Sequence, residues 1–426
     1  MRKLSDCGVL RIMSLEVLSA LSRWATNGPL FPNLGTLDLW TADAVFVPFI
    51  PLFLSPRTTA IRIQAFESGD PPIATFTSTI IIFPILCPNL QEIELPYMRR
   101  DPMIVTAVSR MLLTNNRDTI RRFHVDSPLT EEAREVIYRL PDLRGLSVVV
   151  EKAVSLPPLM FPNLTDLVIT YDHDSDWSRM FRGATLGKLK CVRFLSGSEQ
   201  IGDFLETFEK VALAASVQKT LSEFHFSTPF PWNPKYSSLL PFTQLTHLVI
   251  DLLCDDGCSS TEDDKIITDL AQAMPKLEVL ALCEEPCDET STGVTAKGLV
   301  ALADHCLDLN TLRIHIQVAS LSVPPASGGV TSNAGPTALQ RDCGLTQLEV
   351  GSIPLPEESV LVVAMTLARI FPHIRYIDPT GNWEKVLDAI ELSRQIVDRS
   401  SKERSLSTFQ TSFDGISPGA ASEDSD

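Results

Sequence analysis

The feature of this sequence that most constrains its fold is a short segment, L-x-x-L-x-Φ with Φ an apolar residue, that recurs along nearly the whole chain. The spacing between copies varies from 21 to 36 residues, so they follow no strict period. One copy would occur by chance in any leucine-rich protein, whereas thirteen ordered copies indicate one repeated structural unit. The copies lie at residues 31–39, 55–63, 87–95, 117–125, 140–148, 161–169, 186–194, 218–226, 242–250, 274–282, 306–314, 342–350 and 371–379, those at 55–63 and 371–379 being the weakest.

Each copy has the pattern of a short strand that is entered through a turn. In FPNLGTLDL at 31–39, the last two leucines alternate with polar residues at period two, as in a strand buried on one face. Pro32 restricts its own φ and that of its neighbour, which ends any preceding helix. Between copies the spacing is helical, and Thr130 is suited to cap a helix with Glu131 and Glu132 in its first turn. Further helices are predicted over residues 103–113, 201–214, 299–306 and 360–370.

A unit of one strand and one helix cannot bury its apolar face alone, but stacked units can. We therefore predict an α/β leucine-rich-repeat solenoid, a horseshoe like that of ribonuclease inhibitor, with a parallel concave sheet and convex helices. The solenoid is expected to span residues 1–399 and to end in a capping helix at 385–399. Residues 400–426 are Ser-rich and acidic, and we expect this tail to be disordered.

Composition narrows the possible classes of protein. The formal net charge of −17 disfavours nucleic-acid binding, which needs a basic face. The longest apolar stretch, 73–87, is interrupted by polar residues and is too short for a bilayer, so no membrane segment is predicted. The first residues do not resemble a signal peptide, and nine cysteines are scattered without a secreted disulfide spacing. We expect an intracellular protein, cytoplasmic or nuclear.

The concave face is the predicted binding surface. In each strand, the residue between the final two apolar positions points away from the core, and stacking places these residues in a row. The row mixes charges of both signs with small and apolar residues, which suits a protein or peptide partner, with arginines as anchors. The predicted binding residues are Trp40, Arg62, Glu94, His124, Arg193, His225, Arg313 and Glu349.

No catalytic centre, cofactor or metal is predicted. Two C-x-x-x-C pairs follow adjacent strands, which would allow a four-thiolate zinc site, but the usual spacing is C-x-x-C. We interpret these pairs as unpaired thiols on acidic loops. YDHDSDW at 171–177 lacks the full calcium-loop pattern, and GGVTSNAGPT at 328–337 lacks the lysine of a phosphate-binding loop. The four paired cysteines are Cys254, Cys258, Cys283 and Cys287.

One unit is more specific than the others. GVTAKGLVALADHCLDLNTLRI at 293–314 resembles the cysteine-containing leucine-rich repeat of F-box proteins. In that repeat a threonine starts the helix, a Gly-Leu pair lies in its first turn and a buried cysteine ends it; the corresponding residues here are Thr295, Gly298, Leu299 and Cys306. The FPNL and CPNL starts and FLSP at 53–56 are similar to those of fungal F-box and leucine-rich-repeat proteins.

The resemblance implies an interaction scaffold that recognises the substrate of a ubiquitin ligase. Such proteins bind the ligase adaptor through an F-box. No Leu-Pro-x-Glu helix cluster precedes the first repeats here, so an adaptor is expected only if an F-box lies upstream. The alternative is a repeat protein that regulates an enzyme, as a GTPase activator or an inhibitor does. An activator would offer an arginine to a phosphate; by position the candidates are Arg62, Arg122, Arg193 and Arg313.

Overall fold

The structure is a computed structural model of the 426-residue chain. It describes residues 3–5, 14–25, 28–42, 44–66, 72–95, 101–114, 119–126, 128–150, 160–171, 177–181, 184, 186–197, 204–230, 234–252, 264–282, 293–321, 343–350, 355–378 and 382–395. The predicted tail at 400–426 lies outside these ranges.

One sheet runs through the described residues. Its fourteen strands are parallel and lie in chain order, so each strand pairs with its neighbours in sequence, and the first and last strands have one partner each. This arrangement confirms the predicted leucine-rich-repeat solenoid. The strands are β1 (Lys3–Ser5), β2 (Thr36–Ala42), β3 (Ala60–Phe66), β4 (Glu92–Leu95), β5 (Arg122–Val125), β6 (Gly145–Val150), β7 (Asp166–Tyr171), β8 (Cys191–Ser196), β9 (Glu223–Thr228), β10 (His247–Leu252), β11 (Val279–Leu282), β12 (Thr311–Arg313), β13 (Gln347–Glu349) and β14 (Tyr376–Ile377).

Helices connect many of the strands. They are α1 (Leu15–Trp24), α2 (Ile50–Phe53), α3 (Ile73–Leu86), α4 (Pro102–Leu113), α5 (Glu131–Tyr138), α6 (Phe204–Ala214), α7 (Asp264–Ala273), α8 (Ala296–His305), α9 (Val318–Leu321), α10 (Val360–Ile370) and a last helix, α11, over residues 383–395. The predicted cap of α5 is present, because the side chain of Thr130 accepts a hydrogen bond from the Ala133 N–H. Among the described residues, no helix has both the length and the apolar character needed to cross a bilayer.

The length of a unit decides what lies on its convex side. Units of 29 residues or more leave room for a helix, as with α3, α4, α6, α7 and α8. In the described part of the chain, shorter units carry the eight-residue α5, the four-residue α2 or 3₁₀ segments, the last at Ala44–Phe49, Trp177–Phe181 and Tyr236–Leu239. The predicted helix at 201–214 starts later, at Phe204, and the one at 299–306 starts earlier, at Ala296.

The core lies between the sheet and the convex segments. Leu164, Leu167 and Ile169 of one strong repeat are fully buried, while Val168 between them is only half-buried on the opposite face, as the alternation predicts. In the middle of the chain the core is aromatic. The ring of Phe208, for example, stacks on Phe242 with centroids 5.3 Å apart.

The cysteine-containing repeat has the features that its sequence predicts. The Thr295 side chain caps α8 by accepting from the Lys297 N–H, and Cys306 is the residue at which the helix ends. Cys306 is fully buried, and its thiol lies 3.7 Å from the carbonyl oxygen of Ala271 and 3.6 Å from that of Met274. The thiol is therefore a packing element and a weak donor between neighbouring units.

Candidate functional site

Strand pairing fixes which side chains share the concave face, defined here as the face of the sheet opposite the helices. The register aligns Asp38 with Arg62, Glu94 and His124, and separately aligns Ser147 with every later strand through Glu349. The pairing of Phe123 with Leu146 joins the two runs. The predicted row therefore exists as one line of residues: Asp38, Arg62, Glu94, His124, Ser147, Val168, Arg193, His225, Val249, Ala281, Arg313 and Glu349.

A groove of about 700 Å³ opens on this face between β3 and β8. It is bounded mainly by side chains of two rows, the predicted row and an upstream row that lies two residues earlier in each strand, with Asp126 and Leu195 two residues after the predicted row. Positively and negatively charged side chains lie next to one another along the groove, so a partner contacts charges of both signs and not a surface of one sign. The lining includes Arg62, Glu92, Glu94, Arg122, His124, Asp126, Ser147, Asp166, Val168, Cys191, Arg193 and Leu195.

At one end of the groove the charges are paired with each other. The Arg62 guanidinium lies 2.5 Å from a carboxylate oxygen of Glu92 and 4.0 Å from one of Glu94. The hydrogen bond to Glu92 raises the pKa of Arg62, while burial raises the pKa of Glu94. Arg122 lies between Glu92, at 4.0 Å, and Asp166, at 3.9 Å. Arg62 and Arg122 are therefore already engaged within the protein.

His124 forms part of the floor of the groove. Its Nε2 lies 2.6 Å from the point where a Cβ on Gly145 would be, so the glycine makes room for the imidazole ring. Burial lowers the pKa of His124 to about 4, which leaves the ring neutral near pH 7. Beside it, the Ser147 hydroxyl donates to Asp126 at 2.9 Å, and burial raises the pKa of this carboxyl group.

Arg193 differs from the other arginines of the concave face. Its side chain is exposed in the groove, and within the described part of the chain it forms no ion pair with a carboxylate. Its row neighbours are Val168 on β7 and His225 on β9. The groove thus presents one arginine without a direct ion pair beside the apolar side chains of Val168 and Leu195.

Arg313 lies further along the sheet and is held by its neighbours. It forms an ion pair with Asp251 of β10 and lies 3.9 Å from Glu349 of β13. The predicted anchors therefore divide into two classes. Arg62 and Arg313 form ion pairs with carboxylates of other strands, whereas the exposed guanidinium of Arg193 can contact a partner.

A second cluster, which was not predicted from the sequence, lies on β8 and β9. Cys191 and Glu223 are register partners, and His225 follows Glu223 on the same face. One ligand atom from each of the three lies within 4.8 Å of the others. Burial raises the pKa of the Cys191 thiol to about 12 and lowers that of His225 to about 4. The upstream row was the missing signal: the alternation that selects His225 also selects Glu223.

Several predicted features lie outside the described residues or side chains. Trp40 belongs to β2, but its side chain is outside the description. The two cysteine pairs, residues 172–176 of the aspartate-rich loop and the glycine-rich stretch at 328–337 are outside it as well. The candidate zinc site of Cys254, Cys258, Cys283 and Cys287 therefore stays a hypothesis.

Comparisons with known proteins add little to this picture. No protein-family model matches the sequence, and no curated protein matches it. Among solved structures, a chain in the crystal structure of the yeast Rad7 and Elc1 complex is similar, with a TM-score of 0.34 and 16% identity. The match covers 62% of this chain and 74% of that one. The fold is defined by the strand order, register and core described above.

Proposed function

We propose that this protein is an interaction scaffold that holds a protein partner against the groove on its concave face. The observation that carries the proposal is the position of Arg193, a guanidinium that forms no direct ion pair among the described residues, in a groove whose other described arginines are paired with carboxylates. Arginine beside apolar surface is a frequent anchor of protein interfaces. The chemistry fits a partner segment with an acidic side chain next to an apolar one.

Charge supports a protein partner over a nucleic acid. A nucleic-acid groove needs basic residues along its length, to neutralise successive phosphates. Here Glu92, Glu94 and Asp166 alternate with the arginines of the groove, and the whole chain has a formal net charge of −17. A polyanion would meet repulsion at these carboxylates, whereas a peptide with mixed charges would not.

We further propose that the scaffold selects the substrate of an F-box-type ubiquitin ligase. The resemblance of the unit at 293–314 to the cysteine-containing repeat supports this proposal, as does the packing of Cys306 at the end of α8. Affinity purification of the natural full-length protein, followed by mass spectrometry, should recover a cullin-ligase adaptor. Recovery of concave-face partners in the absence of any adaptor would count against the ligase role alone.

Regulation of an enzyme is the second candidate function, and the structure indicates which arginine such a regulator would use. Of the four arginines that could reach a phosphate, Arg62, Arg122 and Arg313 are held in ion pairs. An activator of the arginine-finger type would therefore use Arg193. Stimulation of a GTPase by the purified protein, abolished in Arg193→Lys, would favour this function over the ligase scaffold.

The location of the partner can be tested by photo-crosslinking from two matched positions. Leu195 at the groove and Leu213 on α6 are exposed to the same extent, 38% and 39%, but lie on opposite sides of the solenoid. A photoreactive phenylalanine derivative at position 195 should give a discrete partner adduct in cells. The same group at position 213 should not.

Arg193→Ala provides the energetic test of the same surface. Loss of an arginine anchor typically costs at least about 2 kcal/mol, which corresponds to roughly 30-fold weaker binding. Lys210→Ala on the convex side is the control. Among the described residues, this lysine pairs with its helix neighbour Glu206, which also pairs with Lys235. Adducts that come from position 213, or binding that survives Arg193→Ala, would contradict the concave-face proposal.

A further inference from the structure

The second cluster on the concave face has the chemistry of a metal site. Cys191 offers a sulfur ligand, His225 an imidazole nitrogen and Glu223 a carboxylate oxygen. Zinc accepts all three types and binds them in tetrahedral geometry. Thiolate and carboxylate together carry two negative charges, which balance those of a divalent cation. No other group of three such residues in the described part of the chain lies as close together.

The distances in the cluster are near those that zinc requires. Tetrahedral zinc with Zn–N of ~2.0 Å and Zn–S of ~2.3 Å places its ligand atoms roughly 3.3–3.7 Å apart. The His225 Nε2 and Glu223 Oε2 atoms are 3.9 Å apart, and all three ligand atoms lie within 4.8 Å of one another. A shortening of at most about 1.5 Å between ligand atoms, achieved by side-chain rotation, therefore brings them to bonding distance.

The imidazole of His225 gives a second, independent indication of a metal site. The Nε2 atom of His225 is buried and has no hydrogen-bond partner among the residues that the structure describes. A buried polar atom without a partner carries a desolvation penalty, and native proteins rarely leave one unexplained. This atom faces the Glu223 carboxylate, so a metal ion between the two would satisfy it.

The scaffold beneath the cluster is rigid. Cys191 and Glu223 are paired across β8 and β9 in the middle of the sheet. The intervening core residues Val192 and Phe224 are fully buried, which fixes the direction of the side chains on the opposite face. Ligands placed on regular strands are held more precisely than ligands on loops.

Three other charged or titratable side chains belong to the surroundings. Asp166 on β7 is the register partner of Cys191. Arg193 is the row neighbour of His225, and His247 on β10 is the register partner of Glu223, with its Nδ1 2.9 Å from the Thr246 hydroxyl. The positive charge of Arg193 opposes a bare cation. It does not oppose the assembled site, because one thiolate and one carboxylate neutralise Zn²⁺.

We propose that Cys191, Glu223 and His225 bind one zinc ion on the concave face, with the fourth coordination position open to the groove side. Water or a side chain of a bound protein fills that position. The inference does not rest on the proposed partner, because the three ligands come from this chain alone.

Metal binding by the purified full chain is the test, with Co²⁺ as the spectroscopic probe. After chelation and dialysis, the wild-type protein should bind one Co²⁺ at this site and show a thiolate-to-cobalt charge-transfer band that Zn²⁺ removes. Cys191→Ser should abolish the band. Loss of a partner that merely orients a ligand already weakens metal binding about 10–100-fold, so His225→Ala and Glu223→Gln should weaken it at least about 100-fold.

Two controls separate this site from other thiols. Cys306→Ala removes a buried cysteine outside the cluster and should leave the band unchanged. A variant with Ser at Cys254, Cys258, Cys283 and Cys287 should also keep it. If Cys191→Ser fails to fold by circular dichroism, Glu223→Gln and His225→Ala decide the outcome. Absence of a cobalt–thiolate band in the wild type, or its persistence in Cys191→Ser, would overturn the proposal.

Discussion

The carboxylate of Asp264 accepts a hydrogen bond of 3.1 Å from the backbone N–H of Gly298, 34 residues later in the chain. The same carboxylate accepts from the N–H of Thr295 at 2.9 Å and from its hydroxyl at 2.5 Å. Asp264 is the first residue of α7, and the three donors surround the start of α8. One side chain therefore caps the helix of the following unit and joins two repeats at their convex edge.

Asp264→Ala should destabilise the protein by about 1–3 kcal/mol, because it leaves the Thr295 and Gly298 donors without their acceptor. The measurement is the urea midpoint at constant slope. Asp269→Ala is the matched control on the same helix, since its exposed i,i+4 pair with Lys265 contributes only about 0.3–0.5 kcal/mol. Equal decreases in the urea midpoint of the two variants would show that the hydrogen bonds of Asp264 to the start of α8 do not stabilise the protein more than an exposed ion pair does.

Gly298→Ala should also destabilise the protein, although alanine normally favours a helix over glycine by about 0.8–1 kcal/mol. A Cβ at this position would lie 2.5 Å from Val294 Cγ1 and 2.7 Å from Asp264 Oδ1. Overpacking of this kind costs about 1–3 kcal/mol. Gly187→Ala is the control, because nothing lies within 4 Å of its added Cβ. A thermal midpoint for Gly298→Ala at or above the wild-type value would refute the close approach.

Leu167→Ala should cost about 2–5 kcal/mol, since Leu167 is fully buried and its truncation leaves a cavity. Val168→Ala, one residue later on the half-buried concave face, should cost much less. Chemical denaturation of the two variants compares the faces of one strand directly. Equal midpoints would be incompatible with the register of β7.

The fold was predictable because burial of one strand face requires apolar residues at every second position, and this pattern is recognisable in each copy although the spacing between copies is irregular. Leu167 and Val168 fall on the faces that this alternation assigns to them. The convex side was less predictable. The stretch at 73–86 forms α3 although its isoleucines and threonines have low helix propensity, because packing against the solenoid outweighs that preference.

The site was predictable as a row but not as a set of interactions. Sequence placed Arg62 and Arg313 on the concave face as anchors for a partner. The structure shows that their ion-pair partners Glu92 and Asp251 are 30 and 62 residues away in the chain, a separation that no local pattern reveals. Cys191 and Glu223 were not predicted because the predicted row contains the residue between the last two apolar positions of each strand and not the outward residue two positions earlier.

The pH dependence of stability should contain a distinct contribution from His124. Burial lowers its pKa to about 4 in the folded protein, whereas an unfolded histidine titrates near 6.5. Between these values the unfolded chain binds the extra proton, so this contribution is fully present above about pH 6.5 and is lost as the pH falls toward 4. The loss is at most about 3 kcal/mol, and less if the half-buried ring moves toward water on protonation.

His124→Gln isolates this contribution. The variant removes the titrating group, so its free energy of unfolding should fall less than that of the wild type between pH 6.5 and 4, measured in urea with a chelator present. Asp126 and Glu94 act in the opposite sense, because burial raises their pKa and their protonation on acidification favours the folded state. Their effect is common to both proteins and cancels in the difference. His305→Gln, at the exposed end of α8, is the control. If the free energies of unfolding of the wild type and His124→Gln change in parallel between pH 6.5 and 4, the proposed low pKa of the half-buried His124 is wrong.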